Sequence, residues 1–218
     1  MFSGCKTLKE VRMGTVTKLG NSVFSFCDSL ISVDVSNVNT IGQSCFSGCK
    51  SLKSISLPNI TQIPNHCFYN CSSLASALLD NAKIDYLGQN AFYGCSSLES
   101  ISFPNVTQLY ADAFRGCTRL KTINFESLKK VGNAFADCTS LTNVNLPNAE
   151  TLSYSCFENC SSLVTISLPN VTSVSKSCFS GCSSLVTVDM PNVAGTLGDG
   201  VFSGCSSLKS ISFPNVTE

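Results

Sequence analysis

The sequence predicts a solenoid: one short chain motif stacked on itself about ten times. Three observations predict it. Phenylalanine recurs at Phe2, Phe24, Phe46, Phe68, Phe92, Phe114, Phe135, Phe157, Phe179 and Phe202, at spacings of 21 to 24 residues. Each Phe is followed three residues on by Cys (Cys5 through Cys205) and six on by Leu (Leu8 through Leu208). Beyond each Leu, apolar and small polar residues alternate. A repeat of this length cannot bury its apolar side alone, so neighbours must stack to build one core. Residues 1–218 therefore read as a single repeat domain. The chain opens and stops inside a repeat, so it reads as a piece of a longer array.

The elements of one unit follow in order. In Leu52–Leu57, L-K-S-I-S-L, Ile55 and Leu57 alternate with Ser54 and Ser56, the period of a strand with one buried face. Pro58 lacks an N–H and ends the strand, and Asn59 suits the turn beyond it. Stacked copies place these strands side by side, parallel, about 4.8 Å apart. The return path carries a second apolar pair three residues apart, as in Ile60/Ile63 and Val171/Val174. A turn containing Phe follows, preceded by a compact residue such as Cys45, Ala91 or Val201. Two residues after Phe stands Gly, Asn or Asp, types that accept a left-handed backbone. This predicts a short helical or 3₁₀ turn closed by a left-handed cap. Phe26 is the exception at the cap position, which predicts local strain or a changed turn.

The pattern A/C-F-x-x-C-x-x-L-x-x-I-x-L-P-N-V-T-x-I resembles the BspA-like leucine-rich repeats of bacterial and protozoan surface proteins. The resemblance covers essentially the whole chain. It implies a leucine-rich-repeat solenoid with a parallel β-sheet on the concave face, and short helical or 3₁₀ turns and extended segments on the convex side. It also implies secretion or display on the cell surface, and adhesion to host or matrix proteins. It carries no catalytic residues. A secretion signal and further domains, usual in the family, are not part of this sequence.

Composition narrows the function. Charged residues make up 13% of the chain and the formal net charge is zero. A nucleic-acid binder needs a basic stripe to neutralise phosphates, and Lys129-Lys130 is the only adjacent basic pair. No apolar run approaches the roughly 20 residues of a membrane span. His66 is the only histidine and is expected to face outward, beside the inward Cys67. No set of titratable residues converges, so the reading is a non-enzyme without cofactor or metal.

The 14 cysteines need an account. Ten occupy one repeat position. Cys45, Cys67, Cys156 and Cys178 share a second with Ala and Val, the behaviour of small buried hydrophobes. Stacked equivalents would lie about 5 Å apart, inside the disulfide range of roughly 4.4–6.8 Å, but their side chains point the same way. The zinc-like pattern of Cys45, Cys49, Cys67 and Cys71 falls out of the repeat period. Six N-x-S/T triplets, at Asn59, Asn70, Asn105, Asn159, Asn170 and Asn215, are likewise produced by the repeat.

The outward sheet positions are mostly Ser, Thr and Asn, without the aromatic and Arg anchors of tight interfaces. Departures from the repeat are then the expected contact points. The fourth unit is longest, with its insertion near Asn81 to Tyr86 and Leu78 pointing outward. Together with the next two units it supplies the candidate partner-binding residues Leu78, Tyr86, Tyr93, Tyr110, Arg115 and Arg119. Glu10, Arg12 and Asp34 form a smaller candidate. The expected function is a protein-binding or adhesion scaffold. The alternative is a structural spacer that presents other domains. Neither end carries a polar capping unit, which predicts self-association through bare ends.

Overall fold

Ten stacked phenylalanine rings run the length of the molecule. Their centroids are 5.1–5.6 Å apart and neighbouring planes lie within 20° of parallel. The computed structural model describes residues 1–79, 83–211 and 213–217, apart from the side chain of Leu78. Asn81 and Ala82, in the fourth-unit insertion, lie outside that description. Eight of the rings, Phe24 through Phe179, belong to one contiguous core that extends from Leu19 to Val201 with the Cys and Leu of the same coils, and Phe2 and Phe202 pack against its ends.

Each unit contributes a strand to a first parallel sheet. The strands are Glu10–Arg12, Ser32–Asp34, Ser54–Leu57, Ser76–Leu79, Ser100–Ser102, Thr122–Asn124, Asn143–Asn145, Thr165–Ser167, Thr187–Asp189 and Ser210–Ile211. Register follows the repeat, with Ile123 opposite Ile101 and Val144. The return path forms a second, two-residue ladder, such as Lys130–Val131 beside Thr151–Leu152 and Ser173–Val174. Alternation explains both: Ile55 and Leu57 are buried while Ser54 and Ser56 are exposed.

The first sheet is paired in blocks. Glu10–Arg12 pairs with Ser32–Asp34, and Ser54–Leu57 with Ser76–Leu79. Ser100–Ser102 is continuous through Asn143–Asn145, and Thr165–Ser167 through Ser210–Ile211. The inward residue just before each junction, Val33, Ala77 or Val144, is only partly buried.

The expected helical or 3₁₀ turn is not formed at the ladder Phe positions, which from Phe24 through Phe202 are all turns or bends. Two left-handed residues bracket eight of the ten ladder Phe, all but Phe2 and Phe135, and forbid a run of right-handed ones. Ser22 (φ 55°) and Phe26 (φ 57°) flank Phe24, and His66 (φ 56°) and Asn70 (φ 54°) flank Phe68. The chain closes instead through four-residue β-turns, with the N–H of Ser25 donating to Ser22 O and that of Cys27 to Phe24 O. The N–H groups left over point to the next coil. Phe24 N–H donates to Cys45 O at 2.8 Å and Phe26 N–H to Ser47 O at 2.7 Å. The Phe turns are thus a third inter-coil ladder.

Phe26 keeps the turn unchanged. It takes the left-handed conformation of its Gly, Asn and Asp counterparts, and 57% of it is exposed. Its ring lies over Gly48, where an added Cβ would stand 2.7 Å from Phe26 Cδ1.

Candidate interaction surface

The first sheet's outward face is built from short polar side chains that hydrogen-bond along the stack. Asn145 Nδ2 donates to Asn124 Oδ1 at 2.5 Å, and Asn124 Nδ2 to Ser102 Oγ at 3.3 Å. Ser167 Oγ donates to Asp189 Oδ2 at 2.8 Å. Near the N-terminus, Asp34 accepts from the backbone N–H and hydroxyl of Ser36, and these bonds hold its carboxyl below the usual range. The backbone of Leu78 pairs with Ser56 on this sheet, while its side chain lies outside the described part.

The other five candidate residues occupy three further places. Tyr93 follows Phe92 on the turn ladder, and its ring stacks on Tyr69 with centroids 4.9 Å apart. Arg115 occupies the same position after Phe114. Its guanidinium sits between two carboxylates, Nε to Asp137 Oδ2 at 3.1 Å and Nη1 to Asp112 Oδ1 at 3.5 Å. Desolvation works against that charge, but Asp137 and Asp112 outweigh it and raise the Arg115 pKa above its ordinary range. Tyr86 and Tyr110 meet on the return path, centroids 5.5 Å apart, with Tyr110 40% exposed. Arg119 stands at the corner before the first sheet, where Nη2 reaches Glu99 Oε1 at 2.6 Å and Lys121 reaches Oε2 at 3.6 Å. All three of those side chains are well exposed, so each pair contributes about 0–1 kcal/mol.

The structure therefore brings together Tyr86 with Tyr110, and places Tyr93 and Arg115 on one turn column. Several members of that column were missed. Tyr69 extends it by one coil, and Asp112, Asp137 and Asn159 complete the charged cluster, with Asn159 Nδ2 donating to Asp137 Oδ1 at 2.8 Å. His66 is half-buried, 3.2 Å from Asn90 Nδ2 and tilted against Tyr69. The missed signal was the offset itself: Tyr69, Tyr93 and Arg115 each stand one residue after the ladder Phe.

The cysteines have a structural task that their burial alone does not explain. Each repeat-position thiol from Cys27 to Cys205 donates to the carbonyl of the ladder Phe one coil earlier, at 3.0–3.3 Å. Burial pushes the thiols of Cys45, Cys71, Cys117 and Cys182 up to about 12, so they stay protonated donors near neutral pH. Among the described residues, no group of three or more His, Cys, Asp or Glu is placed to hold a metal ion. No described helix is long and apolar enough to cross a membrane.

The model of the BspA type leucine rich repeat region, six copies long, matches residues 17–133 and again residues 131–218. The chain belongs to the BspA-type leucine-rich repeat family. This BspA-type chain is similar to a leucine-rich repeat protein from Bacteroides ovatus, 32% identical with a TM-score of 0.72. The match covers 93% of this chain and 60% of that one, so the chain spans about three fifths of its relative's length. It is also similar to the leucine-rich repeat protein of T. pallidum, 29% identical with a TM-score of 0.65, over 71% of this chain and 77% of that one. No curated protein matches the chain.

Proposed function

We propose that this BspA-type solenoid is a non-catalytic protein-binding or adhesion scaffold, secreted or displayed at the cell surface. Its stiffness supports the reading. Three inter-coil ladders and a continuous ring stack fix the surface in advance, so little ordering entropy is lost on binding. The observation that carries it is the turn column of the fourth to seventh coils. Tyr69, Tyr93 and Arg115 supply there the aromatic and guanidinium groups that dominate binding energy elsewhere. Leu78, Tyr86, Tyr110 and Arg119 surround it on neighbouring faces. The protein ligand is a host or matrix protein.

A spacer that holds other domains apart is the second reading, favoured by the Ser/Thr character of the first sheet. Binding of the 218-residue chain to a panel of immobilised extracellular-matrix proteins separates the two. Alanine at Leu78, Tyr93, Arg115 and Arg119 should weaken capture at least tenfold, while Ser32→Ala should not. Capture that survives all four substitutions removes the patch. No capture across the panel favours the spacer.

A further inference from the structure

The first sheet opens between the seventh and eighth coils. Asn143–Asn145 and Thr165–Ser167 are successive strands, yet they are not paired with each other. The rest of the junction stays closed. Thr151–Leu152 pairs with Ser173–Val174 in the second sheet, and Phe135 N–H donates to Cys156 O on the turn ladder. The gap is therefore a one-sided slot: the first sheet opens while the second sheet and the turn ladder stay closed beside it.

The bonds already made show which backbone groups face it. In a parallel ladder a residue's N–H and C=O bond to the same neighbouring strand, and successive residues alternate sides. Asn143 N–H donates to Lys121 O and Asn145 O accepts from Phe125 N–H, so both residues face the sixth coil. Val144 then faces the slot. Across it, Val164 O accepts from Val186 N–H and Leu168 N–H donates to Asp189 O, so those residues face the ninth coil. Thr165 and Ser167 then face the slot. Two unpaired strand edges confront each other.

A hollow of about 530 Å³ lies over this junction, lined among others by Asn124, Asn143, Val144, Asn145, Thr165 and Ser167. That size falls in the range of ligand sites. Val144 is half-buried at the edge of the core, whereas Ile123 and Ile166 on either side are buried. Smaller hollows adjoin two other unpaired junctions, between Ser76–Leu79 and Ser100–Ser102 and between Thr40–Ile41 and Gln62–Ile63. Each of these three hollows thus adjoins a break in pairing. The one beside Asn143 and Thr165 is the largest of the three and lies wholly within described residues.

We propose that the slot between Asn143–Asn145 and Thr165–Ser167 binds an extended, uncharged peptide segment of a protein partner, which adds its backbone hydrogen bonds to Val144, Thr165 and Ser167. Edge N–H and C=O groups alternating at strand spacing match the backbone of another strand. The lining carries no charged side chain, which favours a neutral segment. Its carboxamides and hydroxyls are donors and acceptors for flanking peptide groups. A saccharide would find no aromatic ring among these residues on which to stack. This deepens the protein-binding reading above and rests on it, but uses a different surface.

The test uses the full 218-residue chain and a fluorescein-labelled, end-capped hexapeptide of alternating threonine and valine. Binding should weaken at least tenfold in Thr165→Arg and in Ser167→Arg, whose side chains point to solvent, and be unchanged in Ser32→Arg on the second coil, remote from the slot. Amide exchange at Val144, Thr165 and Ser167 should be fast in the free chain and slow with peptide bound, a readout that needs no variant to fold. Slow exchange in the free chain, equal binding by Thr165→Arg, or no binding of the peptide overturns the slot. So does protection of the same amides by a neutral oligosaccharide in place of the peptide. Matrix-protein capture lost in Arg115→Ala but intact in Thr165→Arg removes the slot and leaves the scaffold reading standing.

Discussion

The thiol of Cys117 donates to the carbonyl of Phe92, one coil earlier, at 3.2 Å. The same carbonyl accepts the N–H of Cys95 in its own coil at 3.1 Å, so one buried oxygen closes a turn and ties two coils together. Ala fills a comparable small space but supplies no donor.

Cys117→Ala should therefore destabilise the chain by about 1–2 kcal/mol, from a lost hydrogen bond and a small void. Cys5 is exposed and has no preceding coil beneath it in this chain. Cys5→Ala should be within about 0.5 kcal/mol of the parent. Denaturant midpoints compare the two, and equal effects would refute the donor role.

Alkaline pH should unfold the chain through the same column. Burial raises the folded thiols of Cys71 and Cys117 to about 12. An unfolded thiol ionises near 8.5. Above that pH the unfolded state binds fewer protons than the folded state, so stability falls as pH rises. The contribution is full below about pH 8.5 and is lost through about pH 12. Urea midpoints measured from pH 7 to 11 should drop steeply. A Cys71→Ala/Cys117→Ala variant should show a shallower slope, and identical slopes would count against the thiols.

Phe26→Asn should stabilise the chain by about 0.5–1 kcal/mol. A bulky residue in the left-handed region costs roughly 1–2 kcal/mol, and Asn tolerates it. Partial loss of the ring's packing over Gly48 offsets some of the gain. Thermal denaturation reads the sign. A drop in midpoint would mean that the Gly48 contact outweighs the strain.

The Pro-Asn asparagines tie the corners together. Asn170 Nδ2 donates to Pro147 O at 2.8 Å and Asn192 Nδ2 to Pro169 O at 2.7 Å. Asn170→Ala should cost about 0.5–1.5 kcal/mol, and Asn170→Asp at least as much because the carboxylate cannot donate. A glycan on Asn170 uses this same nitrogen. Expression in a glycosylating host should therefore lower the melting midpoint if Asn170 is modified, with enzymatic deglycosylation to Asp failing to restore it. Wild-type stability in Asn170→Ala would remove the corner from the load path.

The sequence by itself determined the stack, the strand of each unit and its buried face. Phe, Cys and Leu recur at fixed offsets, and only like-on-like stacking buries them. The alternation in Ile55 and Leu57 assigned the inward face without any tertiary information. The left-handed cap after Phe68 was legible because Asn70 is one of few residue types that accept it. The second left-handed residue, two before Phe in eight of the ten coils, was not legible where Ser or His holds the position. Ser22, Ser44 and His66 advertise no such preference, and it is the bonds from Phe24 and Phe26 to the next coil that hold the turn open. The thiol-to-carbonyl bonds were hidden for the same reason: their partner is a backbone oxygen a full coil away. Only the tertiary structure decided how the candidate residues divide among faces. It also decided that the first sheet parts beside Val144, because strand pairing is a relation between two coils and is not written in the residues of either alone.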